Sequence, residues 1–508
     1  MCKKSTVFVT MLVITCAGAA CAATVPVPKV TPVPITADSY PLLANSKTLD
    51  PSDLAKAGYV EEEFILSGTA NVYDWAADGT VSVKTPNAPY VTRILVRRPS
   101  NPSKFSGSVV VEIPNTARRF DWSMMWGYVA DQVMEHGDAW VLASIPGSAD
   151  GLKKFNPSRY ASISFANPTP DVTCPAAAAA SNKGAAGPRL EEEGLKWDIL
   201  SQVASALKSG ASGPMGSFKV QNVYMTNQGA EIVTYINAIH SHATLENGNP
   251  AYDGYLIKNA APAGRLNGCA AAPPKDDPRR TIANVNVPVI NVTAQGEVIA
   301  SLPMRKPDSD DSSGRFRLYE IAGAAHIDRN GYVALPAFED QRATGGNVQG
   351  NADFPFAAPC TPPIPLSTLP LLKDAFDAAL ANLEAWARKG TSPPKAERIA
   401  LKDEGTAQVS LATDETGTVV GGVRSPWVDA PTWTMFTVSP GPGTCRELGH
   451  TVAFEADRLK TLYPDQKTYA AKVNRSIDRA VKEHLFTAYD AKKMKAELLA
   501  IPLSAALR

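Results

Sequence analysis

The chain has 508 residues, 50 of them basic and 50 acidic, with 44% hydrophobic residues and a mean hydropathy of −0.13. Balanced charge excludes a polyanionic partner such as nucleic acid as the expected ligand. The composition is that of soluble globular material long enough to bury a large core.

Residues 1–22 read as a signal peptide. Lys3 and Lys4 form a charged start, Val7 to Ala20 is apolar but shorter than a membrane span, and Ala20-Cys21-Ala22 supplies small residues for cleavage. Cys16 and Cys21 lack a lipoprotein context. The chain is expected to be exported, to the periplasm or the medium, with no membrane span in the mature protein. Loss of this segment leaves Cys174, Cys269, Cys360 and Cys445. An even number in an oxidising compartment suggests two disulfides, with three connectivities open, against one bridge and two buried thiols. The spacings are far too wide for a zinc motif, so no metal is expected there.

A Pro-rich leader, 23–60, precedes an antiparallel start at Phe64 to Trp75 and Val81 to Arg98, where "YVTRILVRRP" alternates as a half-buried strand does. "GSVVVEIPN" is apolar without alternation, as in a sheet covered on both faces. A helix over Met125 to Gly137 and the strand "AWVLASI" follow, and strand–helix–strand succession means a parallel α/β sheet. An insertion near 152–190 breaks the rhythm. Then come a helix ending at Gly210, the strand "VQNVYMT", the helix "AEIVTYINAIHSH", and buried strands in "YDGYLIKNAAP", "VPVINVTAQGE" and "FRLYEIAGAAH". The core is expected to span 61–340. An extension over 341–508 should pack on it, with helices at Leu371 to Lys389 and Tyr469 to Leu499. Within it "TGTVVGGVRSPWVDAPTW" is too apolar for a solvated loop and reads as a lid or wall.

This order of features resembles the α/β-hydrolase fold: a mostly parallel central sheet flanked by helices, with lid-like insertions and a C-terminal helical extension. His326 follows the last strand in a small-residue loop, and Glu297 lies a few residues past the preceding one. A carboxylate on the imidazole Nδ1–H leaves Nε2 free to take a proton from a nucleophile. Asp308, Asp310 and Asp311 compete with Glu297, although "PDSDDSSGR" reads as a surface loop. Asn115 and Thr116, after "VVVEI", stand where oxyanion-hole N–H groups would be needed, or form an ordinary turn. His240 and His242 read as helix-end residues rather than metal ligands. No phosphate loop or dinucleotide fingerprint is present, so no cofactor is expected.

The pieces "LKKFNPSRYASISFANP", "YDGYLI", "VPVI", "RKPDSD", "FRLYEIAGAAH", "TSPPKAERI" and "GGVRSPWVDAPT" resemble the secreted bacterial "alpha/beta hydrolase domain" family, from about Gly68 onward. Its members resemble serine esterases, so the resemblance implies hydrolysis of a carboxylic ester or lactone, with a small ester or acyl compound as substrate. It places the histidine on His326 and the acid on Glu297, with Gln295 where the family tends to have Glu. The nucleophile does not carry over. Ungapped counting from Thr234-Tyr235-Ile236-Asn237 puts it on Thr226, whose β-branch suits a strained turn badly. A gapped reading ends the strand at "VYMT", leaves only Asn227 and Gln228 for the turn, as pocket residues, makes Gly229-Ala230 the small corner, and has no hydroxyl at its apex. The two classes that follow are a hydrolase using Thr226 or a bound water, and a catalytically silent protein that binds a small ligand.

Overall fold

The structure, a computed structural model, describes residues 24–76, 78–175, 189–348, 360, 367, 369–441, 443–500 and 503. The expected signal peptide lies outside the described residues, as does 176–188 of the insertion.

One nine-stranded sheet organises the molecule. Its strands are β1 (Lys29–Val33), β2 (Tyr59–Trp75), β3 (Val81–Pro99), β4 (Ser108–Glu112), β5 (Ala139–Ala143), β6 (Asn222–Gln228), β7 (Gly254–Lys258), β8 (Val289–Ala294) and β9 (Phe316–Ile321). They lie in the order β1-β2-β3-β5-β4-β6-β7-β8-β9. The first three strands are antiparallel, and the leader supplies β1, with Pro32 opposite Phe64. An outermost strand is where a proline, lacking an N–H for a ladder, is tolerated. From β5 across to β9 all pairings are parallel.

Every residue of β4, β5, β7, β8 and β9 is buried. These runs show no alternation in sequence because both faces are covered. The period-2 geometry of a strand still sorts them. Val110, Tyr224, Leu256 and Ile290 join one core layer, and Val109, Val111, Val223, Met225, Tyr255 and Ile257 join the other. The first layer is closed by helices α1 (Met124–His136) and, further along the chain, Leu371–Lys389, whose Tyr128 and Phe376 rings stack at 5.4 Å. The second is closed by Lys196–Lys208 and Ala230–Ala238. Each core aliphatic or aromatic side chain so buried contributes about 1.5–3 kcal/mol.

In chain order the remaining helices are numbered α2 (Ala149–Phe155), α3 (Lys196–Lys208), α4 (Ala230–Ala238), α5 (Arg329–Val333), α6 (Phe338–Ala343), α7 (Leu371–Lys389), α8 (Pro426–Asp429), α9 (Ala456–Leu462), α10 (Gln466–Lys482) and α11 (Ala488–Ala500). The single C-terminal helical run expected from Tyr469 is two helices, broken where His484 takes φ 54°.

The unusual sequence pieces prove to be one scaffold around β9. Arg305 pairs with Glu320 at 2.6 Å, Arg398 with Asp308 at 2.7 Å, and Arg317 donates to Pro393 O. Val423 then extends the sheet edge, its N–H donating to Glu320 O at 2.7 Å. "RKPDSD", "FRLYEI", "TSPPKAERI" and "GGVRSPWVD" therefore hold the strand that ends in the histidine loop. Two disulfides, Cys174–Cys269 and Cys360–Cys445, select one of the three connectivities. No helix among the described residues is long and apolar enough to cross a membrane.

Candidate active site

Strand order reverses at β4, which has β5 on one side and β6 on the other. In open parallel sheets the loops at the carboxyl ends beside such a reversal form a crevice. Here those loops follow β4, β6, β8 and β9.

The turn after β6 has the small corner Gly229-Ala230 and no hydroxyl at its apex, as in the gapped reading, but the strand before it is longer than expected. The ladder does not stop at Thr226: Asn227 pairs with Ile257 and Gln228 with Lys258, and Gly229 N–H still donates to Lys258 O at 3.1 Å. Asn227 is a poor strand former, but pairing to β7 holds it and Gln228 extended. The apex is Gly229, at φ 95° and ψ −138°, and α4 starts at Ala230. Only glycine adopts that backbone without steric cost. A Cβ built there would meet nothing within 4 Å.

Thr226 is consequently not at the apex. It is fully buried within β6, and its Oγ1 donates to Leu256 O at 2.9 Å. Asn227 is also turned into the sheet, its Nδ2 donating to Ile113 O at 2.8 Å. Gln228 reaches the histidine instead, with Nε2 3.0 Å from His326 Nε2.

The structure brings His326 and Glu297 together. Nδ1 lies 2.7 Å from Glu297 Oε1, and the two side chains are 20% and 25% exposed, so a small molecule can reach them. With the proton on Nδ1 toward the carboxylate, Nε2 is an acceptor, and the Gln228 amide N–H donates to it. Burial opposes ionisation of Glu297, but its hydrogen bond and charge attraction to His326, with Lys258 beyond, hold the carboxyl below its ordinary value. Asp308, Asp310 and Asp311 do not take part. The first two pair with Arg398 and Arg317, and Asp311 caps its own turn through Ser313.

Further residues position this pair. Lys258, fully buried at the end of β7, donates from Nζ to His326 O at 2.6 Å. Burial pushes its amine down to about 8, against the attraction of Glu297, Asp328 and Glu447. Asn259 Nδ2 lies 3.3 Å from His326 Nδ1, and its Oδ1 accepts from Ala294 N–H. Gln295 Oε1 accepts from Gly323 N–H at 2.7 Å and so ties the acid loop to the histidine loop. The signal for Lys258 was present, a charged residue closing an otherwise apolar buried strand. Gly229 gave one too, as a small residue fit for a tight corner between strand and helix.

Of the two candidates in the loop after β4, Asn115 takes the ordinary-turn alternative. Asn115 N–H donates to Trp122 O at 3.0 Å, so it is not available to a developing oxyanion. Thr116 follows in the same turn, half-buried, its carbonyl accepting from Arg119 N–H.

The hairpin of β10 (Trp433–Phe436) and β11 (His450–Ala453) begins where the expected wall, Thr416 to Trp433, ends. It closes on the histidine loop: a Cβ at Gly323 would stand 2.8 Å from Met435 Sδ. Between them is a narrow apolar crevice, with room for little more than a water, lined by Ala325, Ile327, Leu369, Met435, Phe436 and His450 among others.

Two side-chain clusters among the described residues have spacings that would hold a cation, and neither includes the His326 pair. In one, His136 Nδ1 already bridges Asp138 and Glu384 at 2.8 and 3.0 Å. In the other, Lys373 Nζ sits between Asp131 and Asp377 at 2.9 and 2.6 Å. His240 is likewise structural, bonded to Tyr255 OH and Asn286 Oδ1.

The model of the alpha/beta hydrolase domain family matches residues 28–496. No curated protein matches. Among solved structures, esterase Est22 is 11% identical over 60% of this chain and 84% of its own, with a TM-score of 0.31. A structure from work on two fungal esterases of Rhizomucor miehei is 12% identical over 56% and 81%, at 0.28. A lipase/esterase from Lactobacillus plantarum is 8% identical over 46% and 87%, at 0.26. Similarities this distant carry no site residue across.

Proposed function

Because this chain belongs to the alpha/beta hydrolase domain family, we propose that it hydrolyses a small carboxylic ester or lactone with a water molecule in place of a serine nucleophile. The observation that carries the reading is the pairing of the His326–Glu297 dyad with an elbow whose apex is an uncovered glycine. A carboxylate that fixes the histidine tautomer makes Nε2 a base, and a base with no side-chain nucleophile beside it acts on water. Glu297 then stabilises the imidazolium that forms. The developing oxyanion needs backbone donors. The first N–H groups of a helix have no intrahelical partner, which makes Ala230, at the start of α4, one donor and Thr116 the candidate for the other. Export to the periplasm or medium belongs to the same reading, supported by two disulfides, which persist in oxidising compartments. So does the division into a core at 61–340 and an extension at 341–508.

The Gln228 amide on His326 Nε2 favours a second reading, a protein that binds a small ligand without turning it over. A panel of p-nitrophenyl esters with a fluorophosphonate probe separates the two. The hydrolase reading expects slow turnover lost in His326→Ala, and no labelling. Absence of turnover across the panel, in a folded protein, removes it and leaves ligand binding.

A further inference from the structure

Beside the helices that close the second core layer, a cavity of ≈ 370 Å³ lies between the β2–β3 hairpin, α3 and the residues just after α4. Small-molecule sites span about 300–1,000 Å³ and are mostly apolar with a few placed polar groups. Val25, Val83 and Ile239 belong to its apolar lining, and Asn71, Tyr73 and Asp198 to its polar lining. Asp198 is the only acidic residue among those that line it, and none of them is lysine or arginine. The hairpin is shaped around this carboxylate. The β2–β3 pairing shifts register between Ala70 and Val72, and such a bulge releases a residue from the ladder. Asn71 is the residue released: its N–H and its Nδ2 donate to Asp198 Oδ2 at 2.7 and 2.9 Å, and its Oδ1 accepts from Asn87 N–H at 3.2 Å. Tyr73 OH donates to Asp198 Oδ1 at 2.6 Å. A carboxylate offers about four acceptor positions. Three are used here, all by neutral donors, and the fourth is on Oδ1. Partly buried charges ordinarily gain a counter-charge. Asp198 has no ion pair among the described residues, and the nearest lysine in sequence, Lys196, faces Glu231 at 3.8 Å instead. Burial holds the Asp198 carboxyl above its ordinary value in spite of the three donors.

We propose that this cavity binds a small primary ammonium compound with an apolar body, its N–H donating to Asp198 Oδ1. The ligand supplies the positive charge that the lining lacks, and its N–H takes the acceptor position that the hairpin leaves open. Hydrogen bonds between charged partners are about twice as strong as neutral ones, so an amine should be preferred to an alcohol of the same shape. The open position needs a donor as well as a charge, so a quaternary ammonium should bind less well. An anion is repelled by Asp198. The apolar lining favours an alkyl body over a bare ammonium ion. Neither His326 nor Glu297 lines the cavity, so the proposal stands independently of hydrolysis.

The test is a ligand-observed NMR titration of the intact protein with n-butylammonium in low salt, with butan-1-ol, butyrate and tetramethylammonium as controls. The expected result is saturable binding of n-butylammonium with a dissociation constant on the order of 1 mM, about tenfold or more tighter than each control. Asp198→Asn, which removes the charge and keeps the side-chain shape, should weaken it about tenfold. Should that variant fail to fold, Val83→Lys decides. It adds a positive charge at an exposed lining residue, touches none of the Asp198 hydrogen bonds, and should weaken n-butylammonium about threefold while leaving butan-1-ol unchanged. Binding that does not saturate below about 50 mM overturns the proposal. So does n-butylammonium binding no tighter than tetramethylammonium or butan-1-ol, or an affinity unchanged in folded Asp198→Asn or, where that variant does not fold, in Val83→Lys.

Discussion

Gly229→Ser should convert the site into one with a covalent nucleophile. The substitution adds a hydroxymethyl group where nothing stands within 4 Å, so its cost is backbone strain rather than a clash. A non-glycine residue in so sparsely populated a region costs about 1–3 kcal/mol, which should appear as a lowered melting temperature in an otherwise folded protein. The gain is the group that the His326–Glu297 dyad lacks. Removing a triad nucleophile from a working hydrolase costs several orders of magnitude in kcat, but here the Gln228 amide competes for Nε2. A rise in kcat on the order of 10²-fold on p-nitrophenyl acetate, about 2.7 kcal/mol of barrier, is therefore the expectation for the single variant. Gln228→Ala in the same chain should raise it further by freeing the base. Fluorophosphonate labelling followed by intact-mass measurement should show one adduct on the variant and none on wild type. Stopped-flow should show a burst of p-nitrophenol as the acyl-enzyme accumulates. A Gly229→Ser/Gln228→Ala protein with native circular dichroism that neither labels nor bursts would refute the assignment of Gly229 as the apex.

Thr226→Val should leave turnover unchanged and lower stability by about 1 kcal/mol, since the hydroxyl only donates to Leu256 O; a loss of kcat in a folded variant would restore Thr226 as a candidate nucleophile. Glu297→Gln should reduce any turnover by about 10²–10⁴-fold, because a neutral amide cannot stabilise the imidazolium. The depressed carboxyl of Glu297 means that its stabilising pair with His326 is complete above the unfolded carboxylate value and is lost only as pH falls through its lower folded value. An acid limb that coincides in wild type and Glu297→Gln melting curves would contradict this. Far from the site, the hydrogen bonds of Asp138 and Glu384 raise His136 to about 10, outweighing its partial burial. Because the folded value is the higher one, its stabilisation is complete below the unfolded value of about 6.5 and disappears as pH rises through about 10. The melting temperature gap between wild type and His136→Gln should accordingly close above that pH, and a gap constant from pH 7 to 11 would count against the ion triad.

What sequence could reveal here follows from the range of the forces involved. Burial on both faces leaves a mark on every residue of a strand, so "VVVEI", "AWVLA", "YLI" and "VPVINV" were legible as a parallel sheet, and α7 was legible to its ends because its apolar face repeats over nineteen residues. The His326–Glu297 pair was legible because each residue is anchored at the end of such a strand, and strand ends in a parallel sheet converge. The apex was legible only as one of two alternatives. Whether "TNQG" belongs to strand or turn is decided by three more ladder pairings to "LIK" of β7, and those pairings are long-range contacts with no local sign in the chain. The same shift moves Thr226 from the crevice into the sheet and brings Gln228 to the histidine. Relative to the ungapped reading, the apex lies three residues on, at Gly229 rather than Thr226, and an awkward nucleophile gives way to a glycine. On the proposed reading the chemistry to be tested is that of the His326 base, with water supplying the oxygen that no side chain at the apex provides.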